Sequence, residues 1–152
     1  MNFQTMNKQR KFILIAAAIG IIGMFLPWVD IGYGFGSYNG MHGNGFLIFI
    51  GLVGAGVVAF LGDQTKALDK TYWFVALACG ALATIFMAWN LISAMSNSVL
   101  SYMSFGFYVA AAGTIGTLVC AYMFRSPGDS IKGGFDSLKG DIEKKSDGNP
   151  NT

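Results

Sequence analysis

Three polar side chains of this 152-residue chain are the ones whose types and positions could support chemistry: Asp30, His42 and Asn90. His42 is the single histidine, and Asp30 is the only acidic residue in the first 62 positions. A metal site or an acid–base centre needs more ligands, or a second titratable group close by. We therefore expect a capping aspartate, a solvated histidine and an asparagine that bonds between helices, with no metal or other cofactor.

The two cysteines, Cys79 and Cys120, stand inside apolar stretches. A thiol in such a position normally acts as a small apolar side chain in a reducing setting. Metal binding would require further ligands and a site open to exchange, which the surrounding residues do not offer. The cysteines therefore predict packing and no chemistry.

The elements that must position these residues are long apolar helices. The composition is 53% hydrophobic and 12% charged, with a mean hydropathy of +0.50, whereas soluble chains carry about 25% charged residues. Residues 12–28, 45–62, 72–94 and 105–124 contain no Asp, Glu, Lys, Arg or His. Each block is close to the length that spans a bilayer as a helix. The sequence predicts an all-α, four-helix transmembrane bundle over 1–125 and a cytoplasmic tail over 126–152.

The absence of titratable groups from these blocks excludes several classes of membrane protein. Proton relays, ion-coupled transporters and intramembrane hydrolases place acidic or basic groups within the bilayer. A net charge of +2 likewise gives no basic surface for nucleic acid. We therefore predict a protein that is not an enzyme and does not bind nucleic acid.

The cations predict the orientation. All ten Lys and Arg residues lie before the first block, between the second and third, or after the fourth, and none lies in 29–44 or 95–104. Because cations stay on the cytoplasmic side during insertion, both termini are predicted to be cytoplasmic, in the inner membrane. Aromatic residues at the block ends suit the headgroup layers; they are Trp28, Tyr72, Trp73, Tyr102 and Tyr122. The first block could instead be a cleaved signal peptide, which would leave the orientation of the other three unchanged.

Small residues recur at four-residue intervals along the predicted helices. Such rows let backbones approach closely in lipid, although Gly and Ala are also simply common there. We predict that these rows pack helices together; their main members are Ala76, Gly80, Thr84 and Ala88 in the third block and Gly106, Ala110 and Gly116 in the fourth.

The first outer loop, residues 30–45, is rich in glycine and aromatic residues. Asn39-Gly40 is a strong signal for a two-residue turn, which would pair Tyr38 with Met41 in a short β-hairpin; the alternative is a flexible Gly-rich loop. Aromatic side chains provide large contact area at low entropic cost. The sequence therefore predicts a contact surface formed by Trp28, Tyr33, Phe35 and Tyr38.

The run Phe25-Leu26-Pro27-Trp28, together with Gly40-Met41-His42-Gly43-Asn44-Gly45, resembles small bacterial four-span membrane proteins of uncharacterised function. The layout, with a Trp opening a larger first outer loop, is also similar to the claudins. The claudin loop carries two cysteines that are missing here, so the resemblance implies a contacting outer loop and no adhesion function.

The tail contains a seven-residue repeat that begins at Asp129 and again at Asp136. It places four apolar residues on one face of a helix over 129–145: Ile131, Phe135, Leu138 and Ile142. Glycines weaken this helix, so we expect it to form against a surface. The inner leaflet is the first candidate, a partner or a sister tail the second, and disorder a third alternative.

These features together predict a non-catalytic accessory or assembly subunit. It would bind other membrane proteins, or itself, through its small-residue helix faces and its aromatic outer loop, within the lipid bilayer. The alternative is a homo-oligomeric pore or small-solute channel lined by hydroxyl residues such as Thr84, Thr114 and Thr117.

Overall fold

The computed structural model describes residues 3–30, 37–128 and 130–146. Over these residues the chain is mostly helical, with five α-helices and one short strand pair. The elements in chain order are α1 (Lys8–Phe25), β1 (Pro27–Asp30), β2 (Ser37–Asn39), α2 (Gly45–Phe60), α3 (Lys70–Ser96), α4 (Phe105–Met123) and α5 (Ile131–Ser146). A single 3₁₀ turn, Leu100–Tyr102, lies between α3 and α4.

α1 is bounded by two local signals. At its start the Asn7 side chain accepts a hydrogen bond from the Gln9 backbone N–H, which satisfies one of the free donors of the first turn. At its end Leu26 is extended, with φ −74° and ψ 157°, because a residue before proline is displaced from helical geometry. The sequence predicted a first span reaching Trp28; the helix instead ends at Phe25, and Pro27 begins a strand.

Two helices are long and apolar enough to cross a membrane, namely α3 and α4. Only 28% and 39% of their apolar windows are buried within the chain, whereas the core helix of a soluble protein would be mostly buried. α2 is a shorter apolar helix of 16 residues. α1 has 18 residues, but they include Lys8, Arg10 and Lys11.

The four long helices pack around a common core. α1 packs against α2 and α4, while α3 packs against the same two helices from the other side. One buried cluster, which includes Ile13, Trp73 and Ala121, fills the end near the start of α1. A second, which includes Met24, Leu52 and Phe107, fills the end that carries the strands.

The strand pair joins the end of α1 to the start of α2. β1 and β2 are antiparallel, with Asp30 opposite Ser37 and Val29 opposite Tyr38. The predicted pairing of Tyr38 with Met41 across an Asn39-Gly40 turn is therefore wrong. Gly40 instead donates its N–H to the carbonyl of Met24 at 2.9 Å, and it is glycine that lies there because a Cβ would overlap the Trp28 ring.

Candidate functional site

The three candidate polar residues have different surroundings, with Asp30 at the end of β1 opposite Ser37. Asn90 donates from Nδ2 to the carbonyl of Phe86, 2.8 Å away on the same helix. The His42 ring nitrogen Nδ1 lies 3.0 Å from Asn39 Oδ1, and the ring contacts Tyr38 edge to face. No group of three or more His, Cys, Asp or Glu side chains in the described ranges could hold a metal ion.

Trp28 is a core residue and not part of an exposed contact surface. Its indole Nε1 donates to the carbonyl of Gly23 at 2.9 Å, and its ring packs edge to face on Phe107 at 5.2 Å. With 7% of its surface exposed, Trp28 has no area left for a partner. This corrects the sequence-based interpretation, which placed Trp28 beside Tyr38 in the outer contact.

Other aromatic side chains are exposed at the end of the bundle that carries the strands. About half or more of the surface of each is accessible. We call four of them, on β2, on the 3₁₀ turn and in the first turn of α4, the aromatic rim: Tyr38, Tyr102, Phe105 and Tyr108. Phe25 and Phe46 are also about half exposed at this end. Of the predicted contact residues, Tyr38 belongs to the rim, while Tyr33 and Phe35 lie outside the described residues.

The predicted small-residue rows lie mostly at contacts between helices. Ala76 and Ala110 are fully buried, and a Cβ on Gly80 would lie 3.3 Å from the Leu118 backbone of α4. Gly106 abuts Leu26 and Pro27, and Gly116 faces the Ala16 side chain. Ala88 differs from the others because it is exposed.

In the tightest helix contact, the sequence indicated Gly20, with Ala16, as the small face of the first helix but did not predict Gly113. Gly20 of α1 and Gly113 of α4 touch backbone to backbone, and a Cβ on Gly113 would overlap Gly20. The preceding residue, Ala112, is exposed, so it is Gly113 and not Ala112 that faces α1. A three-residue spacing puts Gly20 beside Gly23 on α1 and Ala110 beside Gly113 on α4, which indicates two small faces but not that they meet.

The hydroxyl residues of the core are occupied by backbone carbonyls. Thr84 donates to the Gly80 carbonyl at 2.8 Å and lies 3.3 Å from the Thr114 carbonyl across the helix interface. Thr114 donates to Ala111 and Thr117 to Gly113. The last two side chains are fully buried, so their polar atoms face packed protein.

A polar clasp joins the start of α1 to the loop between α2 and α3. Arg10 is 2% exposed and donates to the carbonyls of Lys66 at 2.8 Å, Ala59 at 3.2 Å and Leu61. Gln9, equally buried, accepts from the Leu68 N–H at 3.0 Å. From the sequence, Arg10 was only one of the cations that predict the orientation in the membrane. Its role in the clasp was not predicted, because the sequence carries no local signal for it.

Charges around the clasp are shifted by their surroundings. Arg10 precedes the apolar block of α1, and burial lowers the pKa of its guanidinium, with Asp69 and Asp63 opposing that shift. Asp63 accepts from both the hydroxyl and the N–H of Thr65, at 2.6 and 3.1 Å, and these hydrogen bonds lower its pKa. These hydrogen bonds link Asp63 to Thr65 within the loop that follows α2.

The tail helix α5 packs on the first turns of α3. Gly134 is buried against Phe74, where a Cβ would lie 2.8 Å from the Phe74 Cβ. The Phe135 ring meets the Phe74 ring at 6.3 Å, and Thr71 donates to Asp141 at 2.9 Å. The predicted docking face is only partly used, since Leu138 is half-buried while Ile131, Phe135 and Ile142 remain exposed.

Cavities and grooves lie between the helices of the described residues. An apolar groove of about 340 Å³ lies between α1 and α2, and its lining includes Leu14 and Leu61. A smaller apolar cavity, about 120 Å³, lies between α3 and α4 beside Thr84 and Ala88. The third, of about 240 Å³, has mixed polarity and lies between Trp73 and Arg125 at the junction with α5.

Comparisons of the chain with models of protein families, with curated proteins and with solved structures find no match. Conclusions about function therefore depend on the geometry alone.

Proposed function

We propose that this chain is an integral membrane protein in which α1 to α4 all cross the inner membrane and both termini are cytoplasmic. The exposed apolar surface supports this proposal, because each of the four helices presents large hydrophobic side chains outward, such as Ile19, Ile50, Ile85 and Ile115. Soluble monomers rarely expose an apolar surface of this extent to water. In a membrane, the lipid tails cover such a surface.

The short helices fit this embedding with modest adjustment. α2, at 16 residues, is about 24 Å long, less than the roughly 30 Å of a bilayer core. A local thinning of the bilayer accommodates such a mismatch. The cations of α1 fall in its first turn, from Lys8 to Lys11, where the headgroup layer begins.

Within the membrane we propose a non-catalytic accessory or assembly subunit. The observation that carries this proposal is the contrast between a filled core and an exposed aromatic rim. Small-residue faces such as Gly20 and Gly113 are occupied by neighbouring helices of the same chain, which leaves the rim as the surface for another membrane protein. Tyr and Phe are enriched in such interfaces, where they supply much of the binding energy.

The alternative, a homo-oligomeric pore, has less support. Its expected lining residues Thr84, Thr114 and Thr117 donate their hydroxyls to backbone carbonyls. A pore would need these groups to face water. Ion conductance of the purified protein in liposomes measures this alternative directly.

Membrane embedding is tested by extraction of membranes with alkaline carbonate. We expect the chain to stay in the membrane pellet and to require detergent for release. Release into the carbonate supernatant would contradict embedding, whatever the protein binds.

The partner surface is tested by site-specific photo-crosslinking in the native membrane. A photoreactive residue at Tyr102 of the rim should yield one discrete crosslinked membrane protein, while the same residue at Ile85 should not. Both side chains are exposed, at 53% and 67%, so exposure alone does not distinguish them. Equal patterns at the two positions would contradict a partner at the rim.

A further inference from the structure

The mixed cavity lies where the start of α3, the end of α4 and the start of α5 meet. Its volume is about 240 Å³, and its walls contain two aromatic rings, a cation, a hydroxyl and an aliphatic side chain: Trp73, Tyr122, Arg125, Ser130 and Ile131. Trp73 Nε1 donates to the Ala121 carbonyl at 2.8 Å, which fixes α3 and α4 relative to each other. Trp73, Tyr122 and Ile131 belong to helices, while Arg125 and Ser130 lie in the segment between α4 and α5.

Arg125 gives this cavity a positioned positive charge. Its guanidinium lies over the Tyr122 ring, 4.2 Å from the centroid, in a cation–π contact that orients the group without neutralising it. The planar N–H groups of arginine match the oxygens of a phosphate.

Apolar side chains beside the cavity suit a ligand that is only partly polar. Three apolar residues that are close in sequence to the lining residues each expose more than half of their surface: Met123, Ile131 and Phe135. A soluble phosphate compound would leave these side chains in water. A phospholipid, by contrast, presents a phosphate and apolar chains side by side.

We propose that this corner binds the phosphate of an anionic phospholipid of the inner leaflet, with Arg125 as the anchoring cation. Met123 and Phe135 contact the upper acyl chains, and the exposed Tyr122 ring lies in the headgroup layer, where such rings are favoured. The bound lipid joins α5 to the membrane. This inference rests on the membrane embedding proposed above. The two proposals can be contradicted separately, because carbonate extraction measures embedding, whereas lipid selectivity measures binding at this site.

The test is native mass spectrometry of the full chain in mild detergent. It is titrated with phosphatidylglycerol or phosphatidylcholine of identical acyl chains. We expect preferential retention of phosphatidylglycerol, and Arg125→Gln should lower its apparent affinity about fivefold, since one basic residue near anionic lipid contributes about that factor. Tyr122→Leu keeps the charge, removes the ring that orients it, and should give a smaller loss in the same direction.

The matched control is Lys66→Gln, which removes an exposed cation from the loop between α2 and α3. It should leave lipid retention unchanged. Equal losses in Lys66→Gln and Arg125→Gln would indicate a general effect of charge and overturn the site, as would unchanged retention in Arg125→Gln with a normal melting temperature. Displacement of the lipid by soluble glycerol phosphate at matched concentration would assign the cavity to a soluble phosphate and overturn the lipid source.

Discussion

Arg10 holds two parts of the chain together through one side chain. Three carbonyls, those of Ala59, Leu61 and Lys66, converge on its guanidinium at the end of α2 and in the following loop. The contact with the Ala59 carbonyl is buried, whereas those with the carbonyls of Leu61 and Lys66 are partly buried. A buried carbonyl left without a donor is costly.

We expect Arg10→Met to destabilise the protein by about 1.5–3 kcal/mol, since a hydrogen bond from a charged donor contributes about that much and the bond to the Ala59 carbonyl is buried. Thermal unfolding in detergent measures the loss. Lys8→Met is the matched control, because it removes one cation from the same segment but the Lys8 side chain is exposed. A similar small change in both variants would show that Arg10 serves only as a topological charge.

A second residue-scale prediction concerns the contact of Gly20 with Gly113. Gly113→Ala should lower the melting temperature and cost about 1–3 kcal/mol, the usual range for overpacking, because the new methyl meets backbone that cannot rotate away. Gly56→Ala is the control: its methyl would lie 3.8 Å from the Ala17 Cβ, an ordinary contact. If both alanines were tolerated alike, α1 and α4 would not approach as closely as described.

At the scale of elements, α5 is the helix whose placement most needs a tertiary contact. It contains three glycines at 133, 134 and 140, each of which weakens an isolated helix by up to about 1 kcal/mol. Two of its contacts compensate, at Phe74 and Thr71 of α3. The exposed Ile131 and Ile142 remain available to the membrane surface.

Two glycines of α5 should respond oppositely to the same substitution. Gly134→Ala should displace the tail from α3, because its methyl would lie 2.8 Å from the Phe74 Cβ, while Gly140→Ala meets nothing within 4 Å and should only strengthen the helix. Limited proteolysis of the tail measures this. Faster cleavage is expected in Gly134→Ala and slower or equal cleavage in Gly140→Ala, and the same rate in both would mean that α5 does not dock on Phe74.

At the scale of the whole molecule, the proposed orientation makes the rim face outward and the clasp and α5 face the cytoplasm. With Cys79 and Cys120 replaced by alanine, Ser96→Cys should react with an impermeant maleimide on intact cells, whereas Thr65→Cys should react only after permeabilisation. Both positions are exposed in the structure. Labelling of Thr65→Cys in intact cells would overturn the orientation.

The amino-acid sequence by itself determined where the helices lie, because the signals are local. Uncharged apolar blocks favour helices, and the proline at position 27 stops the first helix before it. The predicted blocks 45–62 and 105–124 agree closely with α2 and α4. It also singled out small residues such as Gly80 and Ala110, since a four-residue spacing places them on one helix face.

Only the tertiary structure decided which of these faces meet. The contact of Gly20 with Gly113, the carbonyls around Arg10 and the burial of Trp28 against Phe107 each join residues that are far apart in the chain. Local spacing carries no information on such pairs. The pairing of β1 with β2 is a further case, because the turn signal at Asn39-Gly40 was outweighed by the packing of Gly40 on the Trp28 ring.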